Sequence, residues 1–255
     1  GLPFIAYYDA TATALKVAHC ADANCDNAVV NTLDNSADTG AYAAVAIGAS
    51  GFPVSGYVQS GTVVGPIALC ANAVCNSATL RQHETAAIGN ANGHIGIAVG
   101  AGGRPIMSFW DISARDLTIG RCADSVCSLP AFPAYNLFQP GDNGEFTSIA
   151  IGSDGLPVVS HFDASATALL LVKCTNDGCT SPQTHRIIDN TADVGRFTSI
   201  AVGSDGLPVV SYVDQTAGKI KVAHCDDINC ATATLDTISD PANGLGGDTS
   251  IAIGS

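Results

Sequence analysis

Positive charge is scarce in this chain of 255 residues: Lys and Arg number 10 against 23 Asp and Glu, for a net charge of −13 at pH 7 and a pI near 4.4. A surface of that sign repels phosphate backbones and anionic lipid, so no nucleic-acid partner is expected. Methionine and tryptophan occur once each, as Met107 and Trp110, which leaves little for a helical core. Glutamate occurs only at Glu84 and Glu145, both of which read as loop residues. No run approaches the roughly 18 apolar residues that span a bilayer, and no basic segment followed by an apolar one opens the chain, so no membrane insertion is expected. G-x-S-x-G elbows, H-E-x-x-H helices and phosphate loops are absent, as are linkers and low-complexity tracts. The chain opens on Gly1 rather than Met, which reads as a processing boundary.

What the sequence has in quantity is repetition. A G-x-P step or its equivalent places Pro3, Pro53, Pro105, Pro157 and Pro208 at a period of about 51 residues, the size of a propeller blade. The units begin near residues 1, 51, 103, 155 and 206. Each proline is followed at constant offsets by a C-x-x-x-x-C pair: Cys20 and Cys25, Cys70 and Cys75, Cys122 and Cys127, Cys174 and Cys179, Cys225 and Cys230. Six residues after each proline stand Asp9, Gln59, Asp111, Asp163 and Asp214, preceded by aromatic-rich pairs such as Tyr7-Tyr8 and Phe109-Trp110.

The fifth unit shows the local reading. Ser199 to Gly203 alternates small and large residues with the period of a strand, and Ser204-Asp205-Gly206 is a turn. Leu207 to Asp214 is a second strand, β-branched and aromatic, with its proline at the start where a missing N–H is tolerated. Lys219 to Cys225 is a third strand, and Cys230 to Leu235 a weaker fourth. The expected fold is therefore all-β: a five-bladed β-propeller of four-stranded antiparallel blades in a single domain. Gly1 enters at a second strand and the chain ends on a first one, so pairing of Thr249–Gly254 with Leu2–Tyr8 is expected to close the ring and cover both edges.

Two units diverge from the pattern. The second carries Gly65-Pro66 where a third strand should start, and His83-Glu84 in its long connection. The third has a proline-punctuated segment at 129–133 that reads as a broken or absent outer strand. The glycine-rich loop at 240–247 reads as mobile. In the first strands one face is small (Ala44/Ala46/Gly48, Ser148/Ala150/Gly152, Ser199/Ala201/Gly203) and the other is Ile or Val, as crowding near an axis requires.

The C-x4-C spacing puts two sulfurs at the mouth of a short hairpin loop, within disulfide reach. Five local disulfides are expected in preference to zinc, whose four ligands would have to converge from separate units. They imply an oxidising, extracellular compartment.

Two acidic series fall on one rim, where the second-to-third-strand turns meet the connections into each first strand. One is Asp9, Asp111, Asp163 and Asp214. The other is Asp38, Asp142 and Asp193, each in a D-x-G step, aligned with Asn90 and Gly244. Such carboxylates can hold a hard cation such as calcium, or can bond sugar hydroxyls beside Tyr8, Trp110 and Phe162. The competing reading is that each Asp caps its own turn. No other cofactor is implied.

The phrase GLPVVSYVD followed by KIKVAHCDDINC and a later SIAIG resembles the repeat of uncharacterised secreted bacterial proteins with tandem propeller blades. The blade count is similar to that of the animal lectin tachylectin-2, in architecture alone. Together these imply a secreted recognition or structural module that binds a glycan or an extracellular protein through one face. The alternatives are a carbohydrate-active enzyme with a central-pocket site and a building block of an extracellular assembly. The acids are copied around the repeat, whereas glycosidases use one asymmetric pair, so the reading leans away from catalysis.

Overall fold

The computed structural model describes residues 1–60, 65–82, 93–128, 134–137, 141–180, 183–238 and 247–254. Among these residues all regular structure is strand, gathered into five antiparallel sheets. The first holds β1 (Phe4–Asp9), β2 (Ala14–Cys20) and β3 (Ala28–Asp34). The second holds β4 (Thr39–Ile47), β5 (Pro53–Gln59), β6 (Ile67–Cys70) and β7 (Ala78–Arg81), and the third β8 (Gly96–Val99), β9 (Pro105–Asp111), β10 (Asp116–Arg121) and β11 (Ala134–Asn136). The fourth holds β12 (Asn143–Ile151), β13 (Pro157–Asp163), β14 (Ala168–Cys174) and β15 (Gln183–Asp189). The fifth holds β16 (Val194–Val202), β17 (Pro208–Asp214), β18 (Lys219–Cys225) and β19 (Ala233–Ile238). In each sheet the strands follow chain order, so every neighbour is a local hairpin partner.

Contacts divide the chain into two compact units, one of residues 1–107 and 120–134, the other of residues 108–119 and 135–255. In the second unit the core runs between sheets, joining Val158, Leu169 and Leu171 to Ile200, Val210, Tyr212 and Ala223. In the first, Leu15 packs with Tyr57 and Ala68. The second strands β5, β9 and β17 and the third strand β14 are buried along their whole length. β1, by contrast, leaves Ile5 47% and Tyr8 36% exposed.

The second and third strands lie where their sequence pattern puts them, and the first strands β4, β12 and β16 are longer than alternation alone indicates, whereas β8 has four residues. β12 and β16 begin at the D-x-G step and pass through an irregularity, with register shifts at Asn143/Glu145/Ser148 and Val194/Arg196/Ser199. The residue at each bulge is aromatic and left-handed: Tyr42 (φ 52), Phe146 (φ 53) and Phe197 (φ 54). The bulge turns these rings along the sheet stack, so Phe146 meets Phe197 at 4.4 Å and Tyr42 meets His94 at 5.2 Å between centroids. Glu145, expected in a loop, therefore lies within β12. Small residues on the first strands admit the next strand's backbone, with Ser148 Oγ accepting from Ile200 N at 3.2 Å and Ser199 Oγ from Ile251 N at 3.1 Å.

All five cysteine pairs are bridged within their own sheet, with Cα–Cα separations of 4.8 or 4.9 Å. Each loop is a repeated turn. Asp22, Asn72, Asp124, Asn176 and Asp227 present a carbonyl to the N–H of the second cysteine and a side-chain oxygen to nearby loop N–H groups. The second repeat's third strand is short, as Gly65-Pro66 leads one to expect, and β11 is a three-residue outer strand in the third repeat. The prolines at 130 and 133, His83, Glu84 and the loop at 240–246 lie outside the described residues. The first sheet has three strands, and residues 249–254 carry no strand assignment, so the ladder expected between Thr249–Gly254 and Leu2–Tyr8 is not among the described pairings.

Candidate functional site

The D-x-G steps are joints between successive sheets. The residue after each Asp donates its N–H to the turn of the preceding sheet, Thr39 to Thr13 O, Asn143 to Arg115 O and Val194 to Thr167 O, at 3.1, 3.1 and 3.2 Å. The Asp carbonyl accepts from its own sheet's turn, at Ser60, Ala164 and Gln215, each at 2.8 Å. The glycine then lies against the preceding third strand. A Cβ at Gly144 (φ +103) would stand 2.5 Å from Leu117 Cα, and one at Gly195 2.6 Å from Leu169 Cα. Both acidic series thus occupy one rim within each unit, as their positions in the repeat imply.

Their carboxylates have distinct partners. Asp9 Oδ1 accepts from Thr11 N and Ala12 N at 2.9 and 3.0 Å, Asp111 Oδ1 from Ser113 N and Ala114 N, Asp163 Oδ1 from Ser165 N and Ala166 N, and Asp214 Oδ1 from Ala217 N. This geometry caps the turn. Asp9 also pairs with Lys16 at 2.5 Å, and the Lys16 bond, with the Ala12 N–H, holds its carboxyl below the usual range. In the second series Asp38 accepts from Tyr8 OH at 2.5 Å, Asp142 from the Arg115 guanidinium, and Asp193 from Arg196 at 3.3 Å. Asn90 and Gly244 lie outside the described residues. Among the described residues no group of three or more His, Cys, Asp or Glu side chains converges on a point that could hold a metal ion.

The three aromatics differ. Tyr8 is exposed; Trp110 is 8% exposed, its Nε1 buried without an acceptor among the described residues; Phe162 is fully buried. The Phe162 ring lies under the Arg196 guanidinium, 4.3 Å from its centroid, so its face is covered by a cation rather than open.

Around Asp142 the repeat breaks down. Arg115 comes from the β9–β10 turn, Asp142 and Glu145 from the entry to β12, Asp193 and Arg196 from the entry to β16. Asp142 Oδ1 is buried with no hydrogen-bond partner among the described residues. Burial, then the neighbouring Asp142 charge, pushes the Glu145 carboxyl up, against the opposing pull of Arg196 and Arg115. Beneath it the Gly144 N–H donates to His161 Nδ1 at 3.1 Å; burial pushes this imidazole down to about 4, so it stays neutral and accepts. Glu145 and Arg115 were visible in the sequence, as departures from Ala41 and Arg196 and from Thr13 and Thr167 at the equivalent positions. Arg196 departs from the repeat at the same position, but nothing in the sequence shows that its guanidinium lies over Phe162.

A second set of side chains escaped sequence reasoning. Buried Tyr57 OH donates to Asp34 Oδ2 at 2.8 Å, and Tyr212 OH to Asp189 Oδ2 at 2.7 Å, with Lys221 on the same Asp189 oxygen. Both pairs are 23 residues apart and stitch the end of one sheet's outer strand to the second strand of the next. Burial works to raise the Asp34 and Asp189 carboxyls, yet their donors hold both below the ordinary range.

Five antiparallel sheets with hairpin connections define an all-β protein of β-propeller type. Solved structures with the same fold include an exo-β-1,3-galactanase from Phanerochaete chrysosporium with β-1,3-galactotriose, at 10% identity and TM-score 0.51 over 92% of this chain and 64% of that one. Another is the Aleuria aurantia lectin in complex with α-methyl-L-fucoside, at 10% identity and TM-score 0.51 over 96% of this chain and 80% of that one. A puromycin hydrolase matches at 13% identity and TM-score 0.54 over 91% of this chain and 37% of that one. This chain thus spans less than two thirds of the galactanase, and identities this low speak for the fold alone. No protein-family model matches the chain, and no curated protein matches it in sequence.

Proposed function

We propose that the chain is a secreted glycan-recognition module that binds through the rim where the D-x-G steps meet the second-to-third-strand turns. The observation that carries the reading is the Tyr8 patch: an exposed phenol anchored on Asp38, beside the Asp9–Lys16 pair. An aromatic plate bordered by fixed acceptors and a donor suits a sugar, whose apolar face stacks while its hydroxyls bond sideways. The lectin and galactanase likenesses agree with that use of the fold, and five disulfides fit an oxidising compartment. A glycan array should show binding by the intact protein and a loss of at least tenfold for Tyr8→Ala. An unaltered pattern in that variant, or no glycan bound, would reject the proposal.

The proposal includes one closed ring of five blades in a single domain, with residues 249–254 as the innermost strand that the first sheet lacks. Two features support it. Thr249 repeats, one period later, the contacts of Thr198: Thr249 Oγ1 donates to Phe197 O at 2.7 Å, as Thr198 Oγ1 does to Phe146 O at 2.8 Å. And β1, unlike β5, β9 and β17, leaves apolar side chains uncovered. Deleting 248–255 should then cause aggregation or a large loss of stability, and a truncated chain that stays monomeric and equally stable would count against closure.

A further inference from the structure

At the end of β1 and β2 away from Tyr8, where Phe4 begins one strand and His19 lies near the end of the other, a cavity of about 350 Å³ opens between the first and second sheets. It lies within one compact unit. Its volume falls in the range of about 300–1,000 Å³ typical of small-molecule sites. Leu2, Phe4, Ile47, Pro53 and Ala73 line it together with two glycines, and His19 supplies the one polar side chain. Leu2 and Ile47 form a lip that is open to solvent, 43% and 58% exposed.

The repeat does not reproduce this lining. The residue before each first cysteine is His19, Leu69, Arg121, Lys173 or His224. In the fourth and fifth sheets that residue reaches the aspartate of its S-D-G turn: Lys173 Nζ donates to Asp154 Oδ1 at 3.0 Å and to Leu156 O at 3.3 Å, and His224 Nε2 lies 2.9 Å from Asp205 Oδ2. The turn beside the cavity reads Ala49-Ser50-Gly51 and has no acid to offer. Next along the rim, where Leu69 replaces the imidazole, the space shrinks to about 100 Å³. The His19 ring is tilted against Phe4, with centroids 6.3 Å apart at 56°, and makes no hydrogen bond among the described residues.

We propose that this cavity binds a small uncharged molecule made of an aromatic ring and a hydroxyl, of the phenol or benzyl alcohol class. The lining selects against other classes. No Asp, Glu, Lys or Arg side chain lines it, so an ionised ligand would lose water without gaining a paired side chain. A sugar, suited to the Tyr8 end, would strand most of its hydroxyls against Leu2, Ile47 and Pro53. A ring can lie edge-to-face or offset against Phe4 and take the aliphatic side chains on its other surface. A neutral imidazole carries one donor and one acceptor, which matches a single hydroxyl.

The site is independent of the glycan reading and is tested on the intact chain, by isothermal titration and saturation-transfer NMR with phenol, benzyl alcohol, toluene, benzoate and benzylamine. Phenol and benzyl alcohol should bind at millimolar concentration or below. Ala73→Trp, which fills the cavity from an exposed loop position, should weaken both at least tenfold. His19→Phe should weaken the two alcohols about fivefold, the worth of one hydrogen bond, and leave toluene unchanged. Tyr8→Ala should change neither. Melting curves verify that each variant is folded, and His19→Phe keeps the test open should Ala73→Trp fail to fold. Absence of binding by the unaltered protein, or binding unchanged in the folded cavity variants, would overturn the site. Benzoate or benzylamine binding more tightly than phenol would overturn the uncharged class, and toluene matching phenol would overturn the part given to the hydroxyl. Phenol binding lost with Tyr8→Ala would assign the ligand to the other end of β1 and overturn the proposal.

Discussion

At the scale of single residues, backbone conformation explains choices that polarity does not. Gly144 and Gly195 hold left-handed φ values near +103 against a neighbouring strand's backbone, which cannot yield as a side chain can. Gly195→Ala should therefore lose about 2–4 kcal/mol in urea denaturation. Gly51→Ala is the control: it shares a positive φ of +78 but has open space around it, and should lose about 1 kcal/mol. His161 makes a pH prediction. Burial lowers its folded pKa to about 4 from an unfolded value of 6.5, so the unfolded chain takes up the proton first as pH falls. Stability should be full above pH 6.5 and decline towards pH 4, by about 3 kcal/mol in all. His161→Phe, which installs the residue type found at Phe109, should flatten that slope in melts run from pH 7 to 4, and an unchanged slope would assign it to other groups. Asp38, Asp142 and Asp193 each have a partner in Tyr8, Arg115 and Arg196. Exchanging chelator for millimolar calcium is accordingly expected to leave the melting temperature in place, whereas a native-state calcium site would raise it.

Between elements, the Tyr57–Asp34 and Tyr212–Asp189 bonds are among the polar ties that complement apolar packing of one sheet on the next. Removing the tyrosine hydroxyl leaves a buried carboxylate short of a donor, so Tyr57→Phe should cost about 1–3 kcal/mol. A double-mutant cycle with Asp34→Asn measures the coupling, and additivity of the two substitutions would show that no tie exists. Ser36 serves Asp34 as Thr191 serves Asp189, but Tyr212→Phe should be milder, because Lys221 bonds the same Asp189 oxygen. Where the tyrosine is replaced, by Phe109 and His161, the residue 23 positions earlier is Ala86 or Phe138, neither a carboxylate. That correlation was present in the repeat alignment, but only the fold reveals that an offset of 23 is a contact.

For the whole molecule, five disulfides stiffen a chain whose sheets are thin and rich in small residues. Each closes a loop of about six residues, worth roughly 2 kcal/mol on the chain-entropy estimate. Reduction should thus lower stability by on the order of 10 kcal/mol if the five act independently, and peptide mapping of the unreduced protein should return five bridges within single repeats. A free thiol or a link between repeats would contradict the pairing.

The repeat carried most of the architecture unaided. A constant period, strand-length alternation, prolines at strand starts and cysteines five residues apart are local signals, and hairpins are local structures, so β5, β9, β13 and β17 and all five disulfides lie where their residues placed them. Tertiary structure decided the remainder because its causes are long in sequence and short in space. Whether Asp142 caps a turn or holds Arg115, whether Phe162 faces a ligand or a guanidinium, and whether Glu145 sits in a loop or in a half-buried cluster all depend on one sheet packing against the next. Burial and electrostatics act across such joints, and composition does not register them.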